Sequence, residues 1–475
     1  MTQSVKHKAV RASIWRFAEV GGRQLISLVV TTLLARFIVP EQYGMVAMVL
    51  VFNAIAEVFI DAGFSTALIR DSKRTSLDCS TIFWFNIAIS VLFCVTLQLC
   101  APLIARFYKM PELTTVTRIV SLTLIIIGLG SVQRTLLSAE MNFKRITNAN
   151  IIGLSISGII AIVMAYKGFQ VWALVTQLLL TNAISTSIIW FKSSWHPSLE
   201  FSKESFHRYF TFGSRLLASA LLNTIYKNCY TLVIGKVFSS ATLAFYNRAY
   251  NFGNTASGVP TSIVESVTFP ALCKLQEDND RLRNGYRRIF RLTTFVVFPL
   301  CLGLGAVAYP FICVLLTERW LFAAKLMQIL VFSQMWYPLH SINLNLLKVS
   351  GNGNLFFRLE IWKKCLGVAV LCISVPFGIT AMCIGSIATS LICLIINTYY
   401  TGKILNLGFW RQMYDILPCL LLSLSMFGIT LPVTRILGNG VLSLVLGIVT
   451  GAIIYIGGAL LFRFPEVKEL KNLRK

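Results

Sequence analysis

Glu19, Arg23, Ser27 and Thr31 follow one another at intervals of four inside an otherwise apolar run. Arg215, Ser219, Asn223, Lys227 and Thr231 do the same. Residues four apart share one face of a helix, so each set predicts a polar stripe. Asn53, Glu57 and Asp61 form a third stripe. A fourth segment, LAFYNRAYNFGN from Leu243 to Asn254, carries Asn247, Arg248, Asn251, Gly253 and Asn254, and Gly258, Pro260 and Glu265 follow it. One Arg or Asp at the centre of a membrane helix costs roughly 2.5–3.5 kcal/mol. Such stretches need protein or water around them. The chemistry on offer is a hydrated passage that leans basic. Arg23, Arg215, Lys227 and Arg248 supply charge, and Asn223 and Asn251 supply amides.

Each residue has a blander reading. Arg248 lies about two turns into its span and can reach the outer headgroups. Arg23 can close an ion pair with Glu19, and Arg215 can sit at the inner interface. Glu57 and Asp61 can latch onto Arg11, Arg16 or Arg70, and Glu265 can be interfacial. Lys227 has no carboxylate at helical spacing, which leaves it the weakest structural alternative.

The elements that must position these residues are membrane helices. The chain has 475 residues, of which 56% are hydrophobic and only 13% charged. A soluble protein of this size carries about twice that charged fraction. Apolar runs near bilayer length recur about fourteen times, so the fold class is an all-α integral membrane protein. The second run covers 43–67, the seventh 207–236, the eighth 241–268 and the tenth 321–347. The net charge of +24 lies mostly in short links and suits membrane orientation, with no nucleic-acid motif. The most basic link holds Lys274, Arg281, Arg283, Arg287, Arg288 and Arg291. Alternation of basic links predicts both termini in the cytoplasm. The twelve cysteines are scattered, with no CxxC and no metal spacing. The basic start leads straight into the first span with no evident cleavage site.

A shift of 200 residues lays Leu33 onward over Val233 onward, with Arg36 meeting Lys236. Two weaker echoes follow in order, Ala101 near Tyr309 and Ser131 near Ser341. This predicts a duplication with parallel topology. The expected organisation is 1–200 as one six-helix lobe, 201–402 as its pseudo-symmetric partner, and 403–475 as two extra spans with a basic tail. Facing polar stripes would enclose the passage.

LARFIVPEQYGMVAMVLVFNAIAEVFIDAGFSTALIR, from Leu34 to Arg70, resembles the start of the Wzx-type lipid-linked polysaccharide flippases, colanic acid exporters included, of the multidrug/oligosaccharidyl-lipid/polysaccharide superfamily. Ala35, Arg36, Pro40, Glu41, Tyr43, Gly44, Asp61, Gly63, Ala67, Leu68 and Ile69 carry that resemblance. FYNRAYNFGN and FPALCKLQ, from Phe245 and Phe269, are similar to the same family's eighth span and its exit. The resemblance implies flipping of a polyprenyl-pyrophosphate oligosaccharide to the periplasmic leaflet of the bacterial inner membrane. It implies cavity arginines on the first and eighth spans, where Arg23 and Arg248 lie. Arginine forks and a lysine point charge suit phosphate oxygens, and Asn suits sugar hydroxyls. The partners so implied are the lipid-linked oligosaccharide and membrane lipids, with other assembly proteins left open.

No GxxxxGK motif occurs, and no cofactor is expected. Coupling to H+ or Na+ through Glu19, Glu57, Asp61 or Glu265 is open. A cationic multidrug antiporter of the same superfamily is one rival, though its cavity should be acidic or aromatic. A membrane polymerase or ligase is another. Its chemistry usually needs a sizeable outer loop, whereas His7, His196, His207 and His340 all fall near the expected inner side. A scaffold would leave the stripes unexplained.

Overall fold

The computed structural model describes residues 22, 24, 26–275, 278–349 and 353–472. Among these the regular structure is helical, without strands. In chain order the first unit holds α1 (Ile26–Phe37), α2 (Pro40–Asp61), α3 (Phe64–Arg70), α4 (Ser76–Tyr108), α5 (Leu113–Ala139), α6 (Phe143–Tyr166), α7 (Val171–Lys192) and α8 (Lys203–Val237). Then come α9 (Ser240–Leu275), α10 (Asn279–Ala306), α11 (Ala308–Leu315), α12 (Leu321–Gln334), α13 (Tyr337–Val349), α14 (Gly353–Ser374), α15 (Ile379–Leu405), α16 (Phe409–Leu437), α17 (Val441–Leu461) and α18 (Pro465–Asn472).

Nine spans among the described residues are long and apolar enough to cross a membrane: α2 with α3, α4, α5, α6, α7, α10, α15, α16 and α17. The protein is therefore an all-helical, multi-pass membrane protein. Helices α8, α9, α12, α13 and α14 occupy the remaining predicted intervals from the second onward, and are shorter or less apolar. At 35 and 36 residues, α8 and α9 are the longest helices described. At 1.5 Å per residue each outreaches a 30 Å hydrocarbon core.

Two spans read as single helices are broken. The second breaks at Ala62 (φ 40°) and Gly63 (φ 74°), both left-handed. Asp61 then accepts from the Ser65 amide at 3.3 Å and satisfies a first-turn donor of α3. The tenth breaks between α12 and α13 at Met335 and Trp336. Pro338 has no N–H, and its ring crowds the carbonyl four residues back, that of Gln334, where α12 ends.

Compactness divides the chain inside α9, into Met1–Ala244 and Phe245–Lys475. The boundary expected at residue 200 rests on a repeat in the sequence, whereas compactness follows packing.

In the first unit, buried Asn53 donates its amide to Val120 O at 3.2 Å and Thr123 Oγ1 at 2.8 Å. It ties α2 to α5 and leaves the stripe that spacing gave it. Asn86 on α4 donates to Ser131 on α5 at 2.8 Å. Helix α8 and the start of α9 lie against the second span, with a glycine at each contact. A Cβ on Gly44 would overlap the Ser240 carbonyl, and one on Gly213 the Ala62 carbonyl. The start of α8 is stapled to the first turn of α4. Arg208 pairs with Asp78 at 2.7 Å, and that carboxylate also closes a capping box with Thr75.

Tyr209 donates its hydroxyl to Asp71 at 2.7 Å, and the Lys73 amide donates to the same carboxyl at 2.9 Å. These two bonds hold the Asp71 carboxyl below the usual carboxylate range. A depressed folded-state value stabilises above the unfolded value and is lost as pH falls through the folded one. The Asp71 contribution to melting temperature should therefore be level above about pH 5 and fall below about pH 4. In Tyr209→Phe the Asp71 share of that acid loss should shrink. Identical acid profiles for both proteins would contradict the assignment.

In the second unit, Thr401 donates to Asn343 at 2.6 Å, Gln412 to Leu407 O at 2.8 Å, and Tyr286 to Gln412 at 3.3 Å. These bonds join α10, α13, α15 and α16. Half-buried His340 is a second knot. The Asn397 amide donates to its Nδ1 at 3.2 Å, so Nε2 carries the hydrogen and donates to Ser390 at 3.1 Å. Ser390 passes its own hydrogen to Ser333 O at 3.0 Å. Both ring nitrogens of His340 are thus satisfied within the second unit.

Candidate functional site

The break after Asp61 shapes an open cavity of about 340 Å³ within the first unit. Glu57 and Asp61, one turn apart on α2, line it with Ser65 of α3 and with Ser131, Arg134, Thr135 and Ser138 of α5. Ser65 and Thr135 hydroxyls meet at 2.8 Å. Arg134 is held from outside by Asn150 of α6, whose Oδ1 accepts at 3.1 Å. No ion pair among the described residues joins Glu57 or Asp61 to a base. Of the latch partners expected for them, Arg11 and Arg16 lie outside the described residues. Arg70 instead lies over the Phe212 ring at 4.9 Å. Two carboxylates, one guanidinium and four hydroxyls can take up a proton or small cation, and can hydrogen-bond a hydroxyl-rich group.

The α5 half of this cavity was missed in the sequence. Its signal was there, since Ser131, Arg134, Thr135 and Ser138 recur at three and four residues.

The other candidate residues fall as follows. Glu19 and Arg23 lie outside the described residues. Arg215 and Glu265 sit on described backbone of α8 and α9, and their side chains lie outside the described residues. Asn223 and Lys227 are exposed, one turn apart on α8 in the first unit. Lys227 takes part in no ion pair among the described residues.

In the second unit Arg248 is half-buried on α9, its guanidinium 5.5 Å from the ring centre of Trp320. Trp320 is fully buried in the turn before α12, and Phe245 meets it edge-on at 5.8 Å. A desolvated cation over an indole face gains about 2 kcal/mol, which offsets part of its burial cost. Asn251, three residues on, is exposed. The structure therefore gathers Glu57 with Asp61, Asn223 with Lys227, and places Arg248 near Asn251 on one helix. Among the described residues no group of three or more His, Cys, Asp or Glu could hold a metal ion.

Known proteins match both sequence and fold. The chain is 26% identical to the teichuronic acid biosynthesis protein TuaB of Bacillus subtilis over 441 residues, 89% of each chain. It is 26% identical to the lipopolysaccharide biosynthesis protein WzxC of Escherichia coli over 421 residues, 84% of each. Its fold matches the lipid II flippase MurJ in an inward closed conformation with a TM-score of 0.76 at 14% identity, covering 96% of this chain and 99% of that one. A family model described as polysaccharide biosynthesis protein matches residues 33–325, more than half of the chain. The multi-pass helical architecture is consistent with this match, which places the chain in the polysaccharide biosynthesis protein family.

Proposed function

We propose that the protein flips a polyprenyl-pyrophosphate-linked oligosaccharide from the cytoplasmic to the periplasmic leaflet of a bacterial inner membrane, by alternating access and without catalysing a covalent step. The observation that carries this reading is the near full-length fit of a polysaccharide-biosynthesis chain to a lipid II flippase fold. A pyrophosphate leaving water needs cations held in a low-dielectric setting. Arg23, Arg215, Lys227 and Arg248 are the cations offered, and Asn223 and Asn251 the amides for sugar hydroxyls. The two six-helix repeats, 1–200 and 201–402, with the appendage 403–475, follow from the repeat in the sequence, fourteen crossings from its apolar runs, and cytoplasmic termini from the alternation of basic links. Glu57 and Asp61 are the pair for H+ or Na+, because they share one cavity and lack a basic partner among the described residues. Glu19 and Glu265 are the other acids open to that role. A cationic drug antiporter fits less well, because the candidate set outside that cavity leans basic.

Purified protein in vesicles loaded with a fluorescent, short-chain lipid-linked oligosaccharide should move label between leaflets, read by a membrane-impermeant quencher. Movement no faster than in empty vesicles would overturn the proposal.

A further inference from the structure

Five arginines crowd the first four turns of α10: Arg281, Arg283, Arg287, Arg288 and Arg291. Four have a carboxylate. Arg281 meets Asp278 at 3.1 Å, Arg288 meets Glu469 at 2.8 Å, and Arg291 meets Glu466 at 3.7 Å. Arg287 grips Asp415 of α16 with a two-pronged fork, at 2.7 and 2.5 Å. Arg283 has no carboxylate partner among the described residues. It lines a cavity of about 380 Å³ that lies between α10 and the α15–α16 link.

Arg411 lines the same cavity from α16. Its Nη1 donates at 2.8 Å to the carbonyl of Asn406, a left-handed residue (φ 55°) that ends α15. That bond orients the guanidinium and leaves its other donors for a ligand. With Arg287 already matched by Asp415, the cavity keeps two unmatched positive charges. Trp410 and Tyr414, also in its wall, are 81% and 78% exposed. They stand one turn apart at the start of an apolar crossing helix. Amphipathic aromatics in that position mark headgroup depth.

We propose that this cleft binds the headgroup phosphate of an anionic phospholipid, with Arg283 and Arg411 as its donors. Guanidinium forks match phosphate oxygens in geometry and charge. The exposed rings place the site where such a phosphate lies and where acyl chains can follow it into the bilayer. The ligand is a resident lipid that stays in its leaflet, so the site is separate from the transport reading and uses none of its residues.

The test is native mass spectrometry of the full-length protein titrated with phosphatidylglycerol, phosphatidylcholine or inorganic phosphate. The wild type should prefer phosphatidylglycerol. Arg283→Ala with Arg411→Ala should weaken that binding about 10- to 30-fold, at several-fold per basic residue. Arg281→Ala, paired locally and outside the cavity, should leave it unchanged. If the alanine pair does not fold, Arg283→Gln with Arg411→Gln removes charge and keeps hydrogen-bonding side chains. Phosphatidylglycerol bound equally well by wild type and folded double variant would overturn the proposal. So would displacement of the lipid by inorganic phosphate at matching concentration, which would make this an adventitious anion site.

Discussion

Arg248→Ala is expected to stop export of the lipid-linked glycan while the protein accumulates normally. The residue is half-buried on α9, where a cation is costly unless something compensates. Trp320 supplies part of that compensation through its ring face. A purely structural arginine would then be worth about 1–2 kcal/mol, and its loss would show in melting temperature. A substrate contact is worth more. Removing one cation from a desolvated pyrophosphate costs roughly 2–4 kcal/mol, about 30- to 1,000-fold in transport. Arg248→Lys keeps the charge but loses the fork, and should retain about a tenth of the wild-type rate. Lys227→Ala on α8 should behave like Arg248→Ala. Flipping at wild-type rate in both alanine variants, in the vesicle assay, would remove the cationic path from the mechanism.

A second large effect falls on stability. Gly213→Val should lower the melting temperature steeply or prevent accumulation. Its Cβ would meet the carbonyl of Ala62, which is backbone at the left-handed break of the second span and has no rotamer to yield. Gly44→Val should do the same at the other end of α2, against the Ser240 carbonyl. Forcing atoms into a closed contact costs about 1–3 kcal/mol, and more where backbone must move. The control is Gly457→Ala on α17, where a Cβ meets nothing within 4 Å. That change should be neutral or gain up to about 1 kcal/mol. Equal melting temperatures for Gly213→Val and Gly457→Ala would refute the close α2–α8 contact.

The same break also shapes the acidic cavity. Without left-handed Ala62 and Gly63, Ser65 would continue the α2 helix and could not cap onto Asp61. The segment joins helix packing to the candidate coupling site, so Gly63→Ala should disturb both. A φ of 74° is strained for any residue with a Cβ.

Composition and periodicity determined the class and most of the helical intervals. Their cause is local: a bilayer demands apolar runs near 20 residues, and a helix repeats every 3.6. The same logic marked Glu57 and Asp61 as neighbours. What remained illegible was every choice of partner. Spacing put Asn53 beside Glu57, yet its amide is spent on α5, because Val120 and Thr123 lie across from it. Spacing made five α10 arginines equivalent orientation signals, yet four carboxylates from three different segments set Arg283 apart. Periodicity reports which way a side chain faces along its own helix. Only tertiary packing, through contacts as far apart in the chain as Arg287 and Asp415 or Asn53 and Thr123, decides what it meets there.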